Sequence, residues 1–383
     1  MRIRWWVLML LLIPHFDLYY YQLPLIGEII SLARILTLIL ALAILLTRFT
    51  RFELIIMIFF LTIIFSSIVN QNLLLGTLYR LVILFGLIVF LLNQFKYNFK
   101  EIITALYYLL SSLIILNFLT VLIGGLGYTS SGHIEYLLGR KNHLIFTIIP
   151  FITIVYIYSY KMYSKVPLRN LLLMLIGLVS VILAGSGTGI ILAIILLLFI
   201  IQPKIFKFSM RFYIIVYVVL FFSNVIYRLQ EKWFSFIIVD ILEKDTNLSG
   251  RTLLWDISLE AIQKKLIIGY GRGNTVINDV YSYLSETHNG ILQLLLDSGI
   301  LGLFMFTIII IIVSIRLNTF SENNFSKVIS LSLFLFLINS LSESIFLIRE
   351  FWLIIVFGFV IEKIIKEDLQ VSKSINRNEY KKI

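Results

Sequence analysis

Two stretches of the 383-residue chain concentrate side chains that can do chemistry. One reads Ser249-Gly250-Arg251-Thr252-Leu253-Leu254-Trp255, and the other Ser285-Glu286-Thr287-His288-Asn289-Gly290. An imidazole at His288 can take or give a proton near neutral pH. A guanidinium at Arg251 matches phosphate oxygens through parallel N–H bonds. Arg251 also stands at the start of a predicted amphipathic helix, with Ser249 as N-cap and Gly269 as C-terminal stop. A cation there opposes the helix dipole unless an anion shares the site. Two readings of Arg251 follow: a bound phosphate, or a side chain reaching toward lipid headgroups. His288 likewise reads as a base or as an interfacial hydrogen-bonding residue. Between them lies Gly269-Tyr270-Gly271-Arg272-Gly273-Asn274. Its spacing is not that of a dinucleotide fingerprint and no strand precedes it, so a helix stop and a turn account for its glycines.

The predicted helix places Leu253, Leu254, Ile257, Ala261 and Leu266 on one face, and Asp256, Glu260, Gln263 and Lys264 largely on the other. What must position it is a membrane. The chain is 60% hydrophobic and 14% charged, with a mean hydropathy of +0.99, and a soluble fold of this length cannot hide that much apolar surface. There is no cysteine, hence no thiolate nucleophile, disulfide or iron–sulfur ligand. The four histidines have no carboxylate partners at metal-ligand spacing, and no cofactor is expected. The net charge of +11 sits in short caps between apolar runs, a topology signal that argues against nucleic acid as a partner. The first apolar run ends in Pro14-His15-Phe16-Asp17, which lacks the small residues of a signal cleavage site.

Apolar runs near 4–16, 23–46, 53–69, 73–93, 102–124, 143–160, 168–184, 187–202, 211–227, 289–315, 325–341 and 345–364 predict an all-α polytopic membrane protein with about twelve spans. Arg2 and Arg4, Arg48 and Arg51, Lys96 and Lys100, Lys161, Lys165 and Arg169, Lys204, Lys207 and Arg211, then Arg316 and Lys327, alternate with loops 17–22, 70–72, 185–187 and 341–344, which hold no lysine or arginine. That alternation predicts both termini in the cytoplasm. It divides the chain into helices 1–9 over 1–227, a large, partly helical extracytoplasmic loop over 228–288, helices 10–12 over 289–365, and a basic cytoplasmic tail over 366–383 that anionic lipid attracts. A second outer loop spans 125–142. No internal repeat of the transporter kind is visible.

Arg34, Arg80 and Arg349 fall inside apolar runs, where each needs a partner or water. The topology puts all three toward the outer side, the side of Arg140, Arg251 and Arg272. Such a cluster suits a diphosphate. The competing reading is internal pairing: Glu28 with Arg34, and Glu343 or Glu350 with Arg349. Arg80 has no acid near it in its own helix.

Gly250-Arg251-Thr252-Leu253-Leu254-Trp255, then Gly269-Tyr270-Gly271, His288-Asn289 and Gly299-Ile300-Leu301-Gly302, in this order and in a long outer loop, resemble the O-antigen ligase and polysaccharide polymerase superfamily. Gly139-Arg140-Lys141-Asn142-His143 resembles an earlier segment of that family, so motifs cover roughly residues 125–310. The resemblance implies a metal-independent glycosyltransferase acting on sugars carried by undecaprenyl diphosphate at the outer face of the cytoplasmic membrane. It implies His288 as base, Arg251 as the charge on the leaving diphosphate, and Arg80, Arg140, Arg272, Arg34 and Arg349 as further diphosphate ligands. Asn289, Trp255 and Tyr270 become candidate substrate contacts, and a chain-length regulator and a flippase of the same pathway candidate partners. One departure stands out. Where related enzymes carry a Ser-Arg pair, this chain has Gly185-Ser186-Gly187-Thr188, with glycine in place of arginine. Either Arg80, Arg140 or Arg272 supplies the charge, or phosphate is bound differently.

Polymerases extend glycans from one lipid carrier to another, whereas ligases transfer them to lipid A core. The Ile-, Leu-, Lys- and Asn-rich composition matches AT-rich genomes, many of them from organisms without lipid A, and favours a capsule or O-antigen repeat-unit polymerase. A flippase for lipid-linked oligosaccharide is the reading from another class. It predicts polar residues through the full membrane depth, whereas here they gather on the outer side.

Overall fold

The computed structural model describes residues 3–129, 132–229, 251–280 and 286–366. The expected N-cap Ser249, Gly250 of the arginine motif, Ser285 and the tail beyond Lys366 lie outside the described residues. Thirteen α-helices are described: α1 Trp5–Leu12, α2 Pro24–Thr47, α3 Arg51–Val69, α4 Leu75–Tyr97, α5 Phe99–Leu122, α6 Leu144–Tyr163, α7 Leu168–Ala184, α8 Gly187–Ile201, α9 Met210–Phe221, α10 Arg251–Lys264, α11 Gly290–Thr319, α12 Asn324–Asn339 and α13 Arg349–Phe359. Each apolar run of the sequence carries one of these helices, and α10 is the amphipathic addition. Six of them, α2 to α6 and α11, are long and apolar enough to cross a membrane.

Local chemistry sets several ends. Thr50 and Glu53 form a reciprocal capping box at the start of α3, satisfying two backbone donors that the helix leaves open. Ser186 caps α8 and Asn289 caps α11 through their side-chain oxygens. Helix α6 is the axis of the bundle. All its residues from Leu144 to Ser159 are buried, against α5, α7, α12 and α13. Helix α2 lies at the periphery, where it packs on α4 and buries only Thr37 and Ala41. The loop 125–142 adds what an all-α expectation lacks. It holds a small antiparallel sheet of β1 Gly127–Tyr128, β2 Ile134–Tyr136 and β3 Gly139–Arg140, in that order, with Glu135 opposite both Gly127 and Arg140.

Helix α10 docks on α11 with a face rotated from the expected one. Thr252, Leu254, Trp255, Ser258, Ala261 and Ile262 are buried, while Leu253 and Leu266 stay 48% exposed. The cause is Trp255, whose indole is buried to 2% exposure with Val225, Leu292 and Leu296. Covering one indole outweighs covering two leucine side chains that membrane or outer-loop surroundings can accept. The polar face of Asp256, Glu260, Gln263 and Lys264 is exposed as expected.

A break in α11 ties this loop to the bundle. Gly299 lies at φ 62, ψ −161 inside the helix, a conformation open to glycine. The backbone groups freed by the break bond to the segment after α10: the Ile300 amide donates to the Leu266 carbonyl at 2.9 Å, and the Tyr270 amide to the Leu296 carbonyl at 2.6 Å. A Cβ on Gly299 would overlap the Ile267 carbonyl, and one on Gly269 would lie 2.6 Å from the Gly299 nitrogen. The two family glycines are therefore one contact, backbone against backbone. Gly299→Ala should cost roughly 2–3 kcal/mol through strain and overlap, read as a lowered Tm in detergent. An unchanged Tm would mean the break is not fixed.

Candidate functional site

Glu343, in the turn between α12 and α13, gathers the residues that could act on a substrate. Its Oε1 accepts from Arg251 Nη2 at 2.9 Å and from Asn142 Nδ2 at 3.2 Å. Its Oε2 lies 3.3 Å from His288 Nδ1. Asn142 in turn accepts from Ser186 Oγ at 3.0 Å through its Oδ1, and Thr188 Oγ1 lies 3.4 Å from Ser342 Oγ. Five segments thus converge: the turn after β3, the start of α8, the start of α10, the approach to α11 and the α12–α13 turn.

The approach to α11 is tightly framed. His288 adopts φ 49, a left-handed conformation that histidine tolerates better than most residues. Thr287 Oγ1 donates to the Asn289 carbonyl at 2.8 Å, the Thr287 amide donates to Gln293 Oε1 at 3.0 Å, and the Gly290 amide donates to the Ser340 carbonyl at 2.7 Å. A carboxylate on Nδ1 favours the tautomer with hydrogen there, which leaves Nε2 with its lone pair.

A cavity of about 600 Å³ adjoins this hub, with Glu343, Arg34, Arg80, Arg272, Arg349 and His143 among its lining residues. Its charge is balanced, because Asp17, Glu286 and Glu350 also line it. Arg34 and Arg349 share Asp17 Oδ1 at 3.1 and 2.7 Å. Arg34 also donates to the Pro14 carbonyl at 2.7 Å, and Arg349 to the His15 carbonyl. Arg272 bonds Asp297 at 2.8 Å and Glu286 at 3.1 Å, and those carboxylates raise its pKa against the opposing effect of burial. Arg80 is exposed and, among the described residues, has no ion-pair partner.

Two carboxylates in this network are held low. Against what desolvation the site imposes, Arg349 and Arg34 hold Asp17, whose side chain is 75% exposed, below its ordinary value. Burial opposes ionisation of Glu343 too, and His288 and Arg251 bring it below its ordinary 4.5. Depressed carboxylates stabilise the fold above their unfolded pKa and lose that contribution as pH falls through the folded one. Tm should therefore fall on acidification below about pH 4, and less steeply in Asp17→Asn. Equal slopes in the two proteins would remove Asp17 from the account.

Residues 172–307 match the family model described as O-antigen ligase. That match supports the resemblance of this segment to the O-antigen ligase/polymerase superfamily. No curated protein and no solved structure matches the chain.

The O-antigen ligase segment includes Arg251, Trp255, Tyr270, Arg272, His288 and Asn289. Of these, the geometry joins Arg251 and His288 on one carboxylate. The others are positioned differently from the expectation of substrate contact. Asn289 is fully buried, its Oδ1 capping the Leu292 amide at 3.0 Å and its Nδ2 donating to the Leu341 carbonyl at 3.2 Å. Trp255 is buried in the α10–α11 contact, and Tyr270 donates its hydroxyl to the Ala261 carbonyl at 3.1 Å. These three hold the loop together. Outside the segment, Arg140 lies 3.9 Å from Glu135 on the small sheet and does not line the cavity.

The proposed internal pairings are corrected as well. Arg34 and Arg349 meet Asp17 instead of Glu28, Glu343 or Glu350, because the turn after α1 folds back between α2 and α13. Glu343 instead serves Arg251 and His288. At the glycine that departs from the family pair, Ser186 connects through Asn142 to Glu343 and Arg251. Among the described residues, Arg80, Arg140 and Arg272 make no hydrogen bond or ion pair with that turn. Reading by sequence missed Glu343 as the hub and Asp17 as the arginine partner. The signal for Glu343 was there, an acid in a loop free of lysine and arginine.

Proposed function

We propose that this chain is a polysaccharide repeat-unit polymerase: a metal-independent glycosyltransferase of twelve membrane crossings that joins oligosaccharides carried on undecaprenyl diphosphate at the outer face of the cytoplasmic membrane. The observation that carries the reading is the single carboxylate, Glu343, that holds both Arg251 and His288 beside a cavity between membrane helices. The O-antigen ligase match over residues 172–307 supports the reaction class.

In this mechanism the acceptor hydroxyl attacks the anomeric carbon of the donor sugar. Its proton passes to His288 Nε2 as the new C–O bond forms. The bond from the anomeric carbon to the diphosphate oxygen breaks, and its electron pair leaves with the lipid diphosphate. Arg251 uses one nitrogen on Glu343, and the rest of its five-donor fork remains for phosphate oxygens. Arg80, with no ion-pair partner among the described residues, adds the second charge. Arg272 is neutralised by Asp297 and Glu286, and Arg34 and Arg349 are both held on Asp17, so their part is to build the wall. Arg80→Gln should raise the donor KM roughly 10–100-fold, the worth of one charge-assisted hydrogen bond, with Tm unchanged. A KM within twofold of the parent would remove Arg80 from diphosphate binding.

The test is to give purified protein authentic lipid-linked repeat units in chelator-treated buffer and resolve the products by length. Longer glycans on the lipid carrier support a polymerase. Transfer only when lipid A core is supplied would make the chain a ligase using the same site. Headgroup translocation in liposomes without any elongation would favour the flippase reading.

A further inference from the structure

The end of the bundle remote from Glu343 holds a second cavity, of about 730 Å³. Helices α3 and α11 connect the two ends. The last turn of α3 meets the Arg272 loop, where Ser67 Oγ accepts from the Arg272 amide at 2.8 Å, while its first residues, Arg51 to Ile55, line this cavity. Nineteen residues of α3 span about 28 Å at ~1.5 Å per residue. The charge alternation of the sequence makes this the cytoplasmic end.

Six cations line the cavity: Arg48, Arg51, Lys96, Arg316, Lys363 and Lys366. Its two carboxylates are already engaged. Glu53 accepts the Thr50 amide at 2.7 Å in the capping box, and Glu362 accepts Lys366 Nζ at 2.5 Å. The guanidinium planes are held against rings: Arg316 lies 3.9 Å from the Phe359 centroid and Arg48 4.4 Å from that of Tyr97. Stacking of this kind fixes a guanidinium face and leaves its N–H edge for other partners; Arg316 uses Nη1 on the Phe359 carbonyl at 2.9 Å and keeps its remaining donors for a ligand. Beneath the charges the floor is apolar, made by Leu92, Ile55, Ile312 and the stacked pair Phe52–Phe359 with centroids 3.7 Å apart.

A rim of cations over a hydrocarbon floor, between helices that face the bilayer, has the two-part chemistry of an amphiphilic anion. We propose that this cavity binds an anionic phospholipid of the cytoplasmic leaflet, its phosphate among Arg51, Arg316 and Lys96 and an acyl chain along Leu92 and Ile312. The site is separate from the proposed polymerase chemistry and stands whether or not that reaction is the right one. A free phosphate would satisfy the rim and leave the floor uncovered, whereas a zwitterionic lipid would cover the floor and add its own cation to the rim.

The experiment uses the full-length protein, delipidated in detergent and titrated with phosphatidylglycerol, phosphatidylcholine or inorganic phosphate while Tm is followed. Phosphatidylglycerol should raise Tm saturably and the other two should not. Arg51→Gln combined with Arg316→Gln should weaken that response roughly 30-fold, since each basic residue near an anionic lipid contributes about 1 kcal/mol. An equal response to phosphatidylcholine, or one reproduced by phosphate alone, would overturn the proposal. If the double variant does not fold, a photoactivatable phosphatidylglycerol on the parent protein decides. Crosslinks competed by unlabelled phosphatidylglycerol should map to 48–55, 92–97 and 312–316, and crosslinks confined to other segments would overturn it.

Discussion

His288→Asn should lower kcat by roughly 10²–10⁴-fold, the usual range for loss of a positioned general base, while the protein stays folded. Asparagine is the informative replacement because residue 288 sits at φ 49, a conformation asparagine accepts and alanine resists. His288→Ala would confound a chemical loss with a backbone one. The imidazole is one-third exposed, so its removal leaves no deep void. The measurement is turnover of lipid-linked repeat units, with Tm as control. Turnover within a few-fold of the parent at unchanged Tm would exclude His288 as the base.

Glu343→Gln should have a loss of the same order by a different route. The carboxylate accepts from Nδ1, whereas a glutamine amide turned toward that nitrogen donates to it and places the proton on Nε2, where the base is needed. An orienting carboxylate replaced by its amide is known to cost roughly 10⁴-fold in a related arrangement of a nucleophile, a base and an acid. The same change leaves Arg251, a fifth exposed, without its counter-charge, so Tm should fall too. Two readouts separate positioning from mere damage. Raising the pH should not restore kcat, since the fault is the tautomer and not the protonation state. Glu343→Asp should recover part of kcat. Full activity in the glutamine variant would show that His288 needs no carboxylate.

How much of this was readable beforehand differs by residue. The apolar runs became helices because a run of isoleucine and leucine is a local property, and local properties survive in a single sequence. Arg251 and His288 stand out in the sequence because each lies in a motif a few residues long. Glu343 does not, for it lies 92 residues from Arg251 and 55 from His288, and nothing local marks such a partnership. Asp17 is a starker case, 332 residues from Arg349. Trp255 and Tyr270 are hard to read for another reason. An aromatic ring beside a motif has the same composition whether it meets a sugar or fills a helix contact, and only the rotation of α10 on α11 distinguishes the two. Asn289 shows the same ambiguity at a helix start, where the cap and the ligand contact call for the same amide.

The break at Gly299 has a consequence for motion. Two halves of a membrane helix separated by a glycine suggest a flexible joint. Here the gap is filled by the backbone of residues 266–270, whose amides and carbonyls complete the bonds that the break leaves open. Pulling residues 251–270 away would strand polar backbone groups in an apolar setting, at several kcal/mol each. The first half of α11, the Gly269–Tyr270 segment and α10 are therefore welded into one piece. Arg251 and His288 stand at its two edges, so their spacing is inherited from that weld, and any opening for substrate has to come from the elements around it, such as the thinly packed α2.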